Sequence, residues 1–236
     1  GAGKLVSLAD PIRVEMGGTD VAGALRFAAS GTTTKFADVY SWIRVYRTRE
    51  DGGTYGFARN SLKGGQGIGE GETGVVLTPP DASAWRVNAG LLVVEKAKGT
   101  ISIVDADGKP ISGTFSYDWP PGYRAQGSTI FDALGIPPSP AARVVFTVTK
   151  GRVVPFGTAI DVVSGDAADL PFFGPQSTAL YQWVVGAERG GGPLGPTSRT
   201  DLQLFNGAAT DSTVTIGFRV ARPASETGAA VSVAPV

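Results

Sequence analysis

The segment Trp119-Pro120-Pro121-Gly122-Tyr123 is where side chains of this sequence are best suited to hold a ligand. Indole and phenol rings stack on the apolar faces of sugars, and two prolines before a glycine form a turn that would display Trp119 and Tyr123. A surface glycan is the ligand such a pair would take. The acidic residues are less specific. Asp105-Ala106-Asp107-Gly108 has the opening spacing of a calcium loop but lacks the further ligands and the closing Glu. Asp-Gly is a tight-turn pair, so a hairpin turn is expected there. Asp161, Asp166 and Asp169 could gather around a cation, yet Gly165-Asp166 again reads as a solvated turn. Gly67-Ile68-Gly69-Glu70-Gly71 lacks the Lys-Ser/Thr ending and following helix of a phosphate loop, so a flexible connector is expected. Glu70, Glu72, Glu95 and Glu226 lie in turn or edge contexts, and nothing local marks two of them as an acid and base pair for glycoside hydrolysis.

What is missing narrows the chemistry further. The 236 residues include no His and no Cys, which removes Cys nucleophiles, Ser-His-Asp triads and the usual transition-metal sites. No catalytic residue, metal or cofactor is expected. Lys and Arg total 21 and Asp and Glu total 21, so no strong pull on nucleic acid or anionic membrane follows from charge. No apolar run approaches the ~20 residues of a membrane-spanning helix, and no signal-peptide pattern is present. Gly1 in place of Met fits a processed mature chain or a tag remnant, with processing the favoured expectation.

The elements that must position these residues read as strands. The chain has 34 Gly and 16 Pro together with many Val and Thr, a mixture that favours short strands and tight turns. Short or alternating apolar runs occur at 4–8, 11–16, 24–29, 36–47, 73–77, 85–94, 100–104, 112–117, 142–149, 153–163, 179–185, 200–205, 213–220 and 229–234, most bounded by Gly, Pro, Asn or Asp. A helical segment of one or two turns is predicted over 128–134, with Ser128 as N-cap, Gly135 behind it and Pro137 closing it. Residues 59–72, 135–141 and 186–198 read as connectors. Trp42, Trp85 and Trp183 fall in strand runs and are expected in cores.

Two segments recur in one register. Arg86-Val87-Asn88-Ala89-Gly90-Leu91-Leu92 corresponds loosely to Arg199-Thr200-Asp201-Leu202-Gln203-Leu204-Phe205, and Thr100-Ile101-Ser102-Ile103 to Thr213-Val214-Thr215-Ile216. The first copy has a long continuation and the second a short one, so the second is half a module whose apolar face needs completion. Residues 1–78 are expected to supply the missing back half, around a complete module at 79–178 and a front half at 179–236. Trp85-Arg86-Val87-Asn88 with Asp105-Ala106-Asp107-Gly108, and Tyr46-Arg47-Thr48 with Gly53-Thr54-Tyr55-Gly56, resemble a bacterial extracellular immunoglobulin-like tandem repeat. That resemblance implies an all-β fold of two antiparallel β-sandwich modules, secreted or at the bacterial cell surface, with no nameable activity.

A split module can be completed within one chain or head to tail between chains, and the second route grows a fibre. The expected partner is therefore another copy of the chain, held by strand addition. Expected interface positions are Leu5, Val6, Leu8, Ile12, Val14 and Met16 at one end, where 4–8 and 13–16 are the candidate strands, and Phe218, Val220, Val231 and Val233 at the other. The competing expectation is a monomeric adhesin or carbohydrate-binding module that displays the Trp119 loop.

Overall fold

The structure, a computed structural model, describes residues 7, 9–14, 17, 25, 41–48, 50, 52–60, 65–175, 190, 191, 197, 198, 202–204, 206, 212–219 and 226–233. Before the central sheet come helix α1 (Pro11–Val14), β1 (Trp42–Thr48) and β2 (Thr54–Asn60). The sheet contains β3 (Ile68–Gly69), β4 (Thr73–Leu77), β5 (Trp85–Val104), β6 (Phe115–Trp119) and β7 (Arg124–Gly127). After helix α2 (Ile130–Ala133) it adds β8 (Arg143–Asp161), β9 (Ala167–Leu170) and β10 (Phe172–Phe173). Two ribbons follow: β11 (Gly190–Gly191) with β12 (Thr197–Ser198), and β13 (Ser212–Arg219) with β14 (Glu226–Val233). The described chain is mostly β and every strand pairing is antiparallel.

The frame of the sheet is the pair β5 and β8, of 20 and 19 residues. Apolar residues that alternate along both strands fix which face is buried: Val87, Leu91, Ile101 and Ile103 on β5, and Val144, Phe146 and Val148 on β8. On β8 the buried positions then change from even to odd, at Val153 and Ala159. That change requires an irregular register. It falls where Val93/Glu95, Glu95/Lys98 and Lys98/Gly99 step out of line with β8. Gly151 sits there at φ 79, and a Cβ on it would lie 2.1 Å from the Lys96 carbonyl oxygen. Bulges bend a strand and strengthen its twist. The runs 85–94 and 100–104 are thus one strand, as are 142–149 and 153–163; polar residues at the bulge make each look like two.

The other strands fill the two halves of this pair. β4 lies along Arg143–Thr147 and β9 along Gly157–Ile160, while β6 and β7 pair with Ala97–Ile101 and Ala89–Leu92 of β5. β10 follows β9 in the chain and pairs with β4, so the chain passes from a strand on one half of β8 to a strand beside the one on its other half. At that corner Val76 and Leu170 press on Gly157, where a Cβ would meet the Val76 Cγ1 at 2.7 Å. One core results, with Phe146, Leu91, Ile103, Val76 and Ile68 fully enclosed. The sheet takes in β3 and β4, which precede the expected division at 78/79.

Local predictions fare unevenly. Asp105-Ala106-Asp107-Gly108 is a turn: the Asp105 carboxylate accepts from the Asp107 and Lys109 amides at 3.0 and 2.8 Å, and Gly108 has φ 86. The predicted helical turn is the shorter α2, and its N-cap is Thr129 rather than Ser128, with the Thr129 amide donating to the Asn88 side chain at 3.0 Å. It ends as predicted at Gly135 (φ 68), where Gly135 and Ile136 amides donate to the Asp132 and Phe131 carbonyls. Arg13 and Val14 were expected in a strand, but they belong to α1. Pro11 at the first helical position and the Asp10 carboxylate, which accepts from the Arg13 amide at 3.4 Å, favour a helical turn.

Candidate functional site

β6 presents Phe115, Tyr117 and Trp119 on one face, because residues two apart in a strand point the same way. Their partners on β5 are Ile101, Gly99 and Ala97, small toward the Trp end. The absent side chain at Gly99 lets the Tyr117 ring lie against the backbone: a Cβ there would be 2.5 Å from the phenol oxygen. Tyr117 is buried, and burial pushes its phenol up to about 12. Trp119 stacks over Tyr117 with ring centres 5.1 Å apart, and the Tyr123 ring lies tilted with its centre 4.8 Å from that of Trp119. The turn that returns Tyr123 is fixed by Gly122 and Val93, whose amides donate to Val93 and Tyr123 carbonyls.

Trp119 is half-buried and packs against the core. The open ring area belongs instead to Phe115 and Tyr123, each 46% exposed. The alternation Phe115-x-Tyr117-x-Trp119 was the available signal for this stack, and attention to the prolines alone passes over it. On the opposite face Lys98 pairs with Asp118 at 2.8 Å and, through that hydrogen bond first, holds its carboxyl below the usual range.

The carboxylates do not converge. Asp161 accepts from the Val163 amide (3.0 Å), the Ser164 amide (2.6 Å) and the Ser164 hydroxyl (2.9 Å), and the Ser164 bonds lower its pKa most. Asp169 pairs with Arg59. Among the described residues no three Asp or Glu form a group that could hold a metal ion. The Gly67–Gly71 segment differs from the expected connector: Ile68 is fully buried and pairs with Val153, and the Glu72 carboxylate accepts from the Gly69 amide at 2.6 Å. Ile68 is the apolar anchor that decides this.

Arg59 ties the β1–β2 ribbon to the central sheet. Its Nε donates to the Asp169 carboxylate at 2.8 Å and its Nη2 to the Gly157 carbonyl at 2.8 Å. The guanidinium also faces the rings of Phe57 and Phe156. Arg124 lies 4.8 Å from the Phe156 ring centre, and burial, then repulsion from Arg59, lowers its pKa.

Of the expected interface positions, Leu5, Val6, Leu8, Met16 and Val220 lie outside the described residues. Ile12 and Val14 are in α1, and Val14 is exposed. Phe218, Val231 and Val233 are in β13 and β14, which pair with each other over Ser212–Arg219 and Glu226–Val233. In the recurring segments, Thr100–Ile103 and Thr213–Ile216 both lie in strands; 86–92 is in β5, whereas 202–204 is in none. Instead Gln203 donates to the Thr78 carbonyl at 2.9 Å. Trp85 is half-buried at the start of β5, Trp42 opens β1, and Trp183 lies outside the described residues.

The site and fold define an antiparallel, mostly β protein with an aromatic stack and unmerged ribbons. No protein-family model matches the chain, and no curated protein or solved structure matches it.

Proposed function

We propose that this chain is a non-enzymatic structural protein of the bacterial cell exterior, a subunit of a filament or surface layer held by strand complementation between copies. Immunoglobulin-like sandwich modules, one complete and one split between the chain's two ends, are the architecture this reading uses. One observation carries it. The ribbons β1–β2 and β13–β14 flank the central sheet in sequence, and among the described residues each is hydrogen-bonded as a strand only to itself. A two-stranded ribbon is marginal in water and gains stability from a third strand. Strand addition between copies supplies it without any cofactor.

Sedimentation velocity over a range of concentrations tests this. Assembly that grows with concentration supports the proposal. A sharp, natively folded monomer at every concentration opposes it. A second reading, glycan binding by a monomeric adhesin, rests on the exposed rings of Phe115 and Tyr123 beside Trp119. Retention on immobilised glycans that Tyr123→Ala abolishes would favour it.

A further inference from the structure

We propose that the open edge of β1 receives β13 from a second copy of this chain, joining two ribbons into one four-stranded sheet. The inference rests on the assembly reading above and names the strands that carry it.

β1 is seven residues long and has one edge on β2. Its described side chains, Ile43 to Thr48, are all exposed, with Val45 at 51% and Tyr46 at 55%. No proline interrupts it. Such an edge is a template for another strand. β13 is eight residues long, one more than β1, and has the β-branched run Thr213-Val214-Thr215-Ile216. Val214 and Ile216 are half-buried while Thr213 is exposed, so one face of this ribbon is the apolar one. Set beside β1, that face continues the row of Ile43 and Val45, and a sheet with an apolar face replaces two marginal ribbons.

Charge selects the partner. Arg44 and Arg47 on β1 have no acidic residue between them, so two β1 edges repel one another when paired. In the β13–β14 ribbon the charged residues are Arg219 and Glu226, which face each other at the register's end, leaving 212–218 neutral. The whole chain carries 21 basic and 21 acidic residues, so net charge does not oppose self-association. Among the described residues β1 and β13 do not pair with each other within one chain, and the proposal joins them between copies.

The absence of cysteine makes the test clean. One batch of full-length chain carries Val45→Cys, and other batches carry Thr213→Cys, Val214→Cys or Thr215→Cys. The batches are mixed under mild oxidation, and products are separated without reductant. A disulfide-linked dimer between Val45→Cys and one of the β13 variants, in excess over same-site dimers, is expected. A chain carrying both cysteines should then give a ladder of higher oligomers. Closure of that chain on itself as a monomer overturns the second-copy assignment. Assemblies that sediment normally yet yield no mixed dimer leave the assembly reading standing and overturn the choice of strands. Monomers without cross-links end both.

Discussion

Replacing Gly99 with alanine separates two explanations of that glycine by the sign of the effect. If Gly99 merely tolerates a strand position, Ala narrows the unfolded ensemble and stabilises the fold by about 0.4–1 kcal/mol. The structure requires the opposite. A Cβ would lie 2.0 Å from the Thr147 carbonyl oxygen, 2.5 Å from the Tyr117 oxygen and 2.7 Å from the Tyr117 Cζ. The ring could swing away, but the carbonyl belongs to β8, paired with β5 along most of its length. Relief to 3.0 Å needs roughly a 1 Å parting of the two central strands. Overpacking costs about 1–3 kcal/mol where neighbours can adjust, so a loss at or above about 3 kcal/mol is expected. Urea unfolding reads this as a lower midpoint at unchanged slope. Gly113→Ala is the control, because nothing lies within 4 Å of its Cβ. Adding Tyr117→Ala to Gly99→Ala removes the ring clash and leaves the carbonyl clash, so the double variant should not regain parent stability. A neutral or stabilising Gly99→Ala would refute the packing argument.

Tyr117 should ionise at about 12, above the ordinary 10. Because its folded pKa is raised, its contribution to stability is complete below pH 10 and is lost as pH rises through about 12; tyrosinate absorbance of the parent against Tyr117→Phe checks this. Asp161 has a depressed pKa, so its contribution is present above the unfolded carboxylate pKa and lost as pH falls through the folded one. Asp161→Asn should therefore be less stable than the parent near neutrality, with the gap closing in acid; a gap that stays constant with pH would contradict the role assigned to Ser164. Arg59→Ala removes three hydrogen bonds of a half-buried guanidinium, two to the Asp169 carboxylate and one to the Gly157 carbonyl. With allowance for solvent screening this costs about 1–2 kcal/mol at that docking site. Hydrogen exchange over 54–60 should quicken roughly tenfold while β5 and β8 keep their protection.

Much of the strand content was legible because alternation of apolar and polar residues has only one cause in a half-buried sheet. Thr73–Leu77 came through as a short apolar run bounded by Gly and Pro, and the Asp-Gly turn and the Gly135 stop came through because glycine takes positive φ there. The register shift between β5 and β8 did not. Glu95, Lys96 and Lys98, with Lys150 and Gly151 across from them, form a solvent-facing bulge that has the composition of a loop. β7 was also hidden: Arg124-Ala125-Gln126-Gly127 has no apolar pattern, and backbone pairing with Ala89–Leu92 alone makes it a strand. Around Trp119 the rings were visible, but their mutual cover depends on Gly99, and a close approach across strands leaves no mark in the local sequence.

Electron microscopy of the purified chain in negative stain addresses the assembly claim most directly. Fibres or ordered sheets, with a repeat set by one chain joined head to tail to the next, are the expected result. A field of separate single particles, from protein whose far-ultraviolet spectrum shows native β structure, would contradict it.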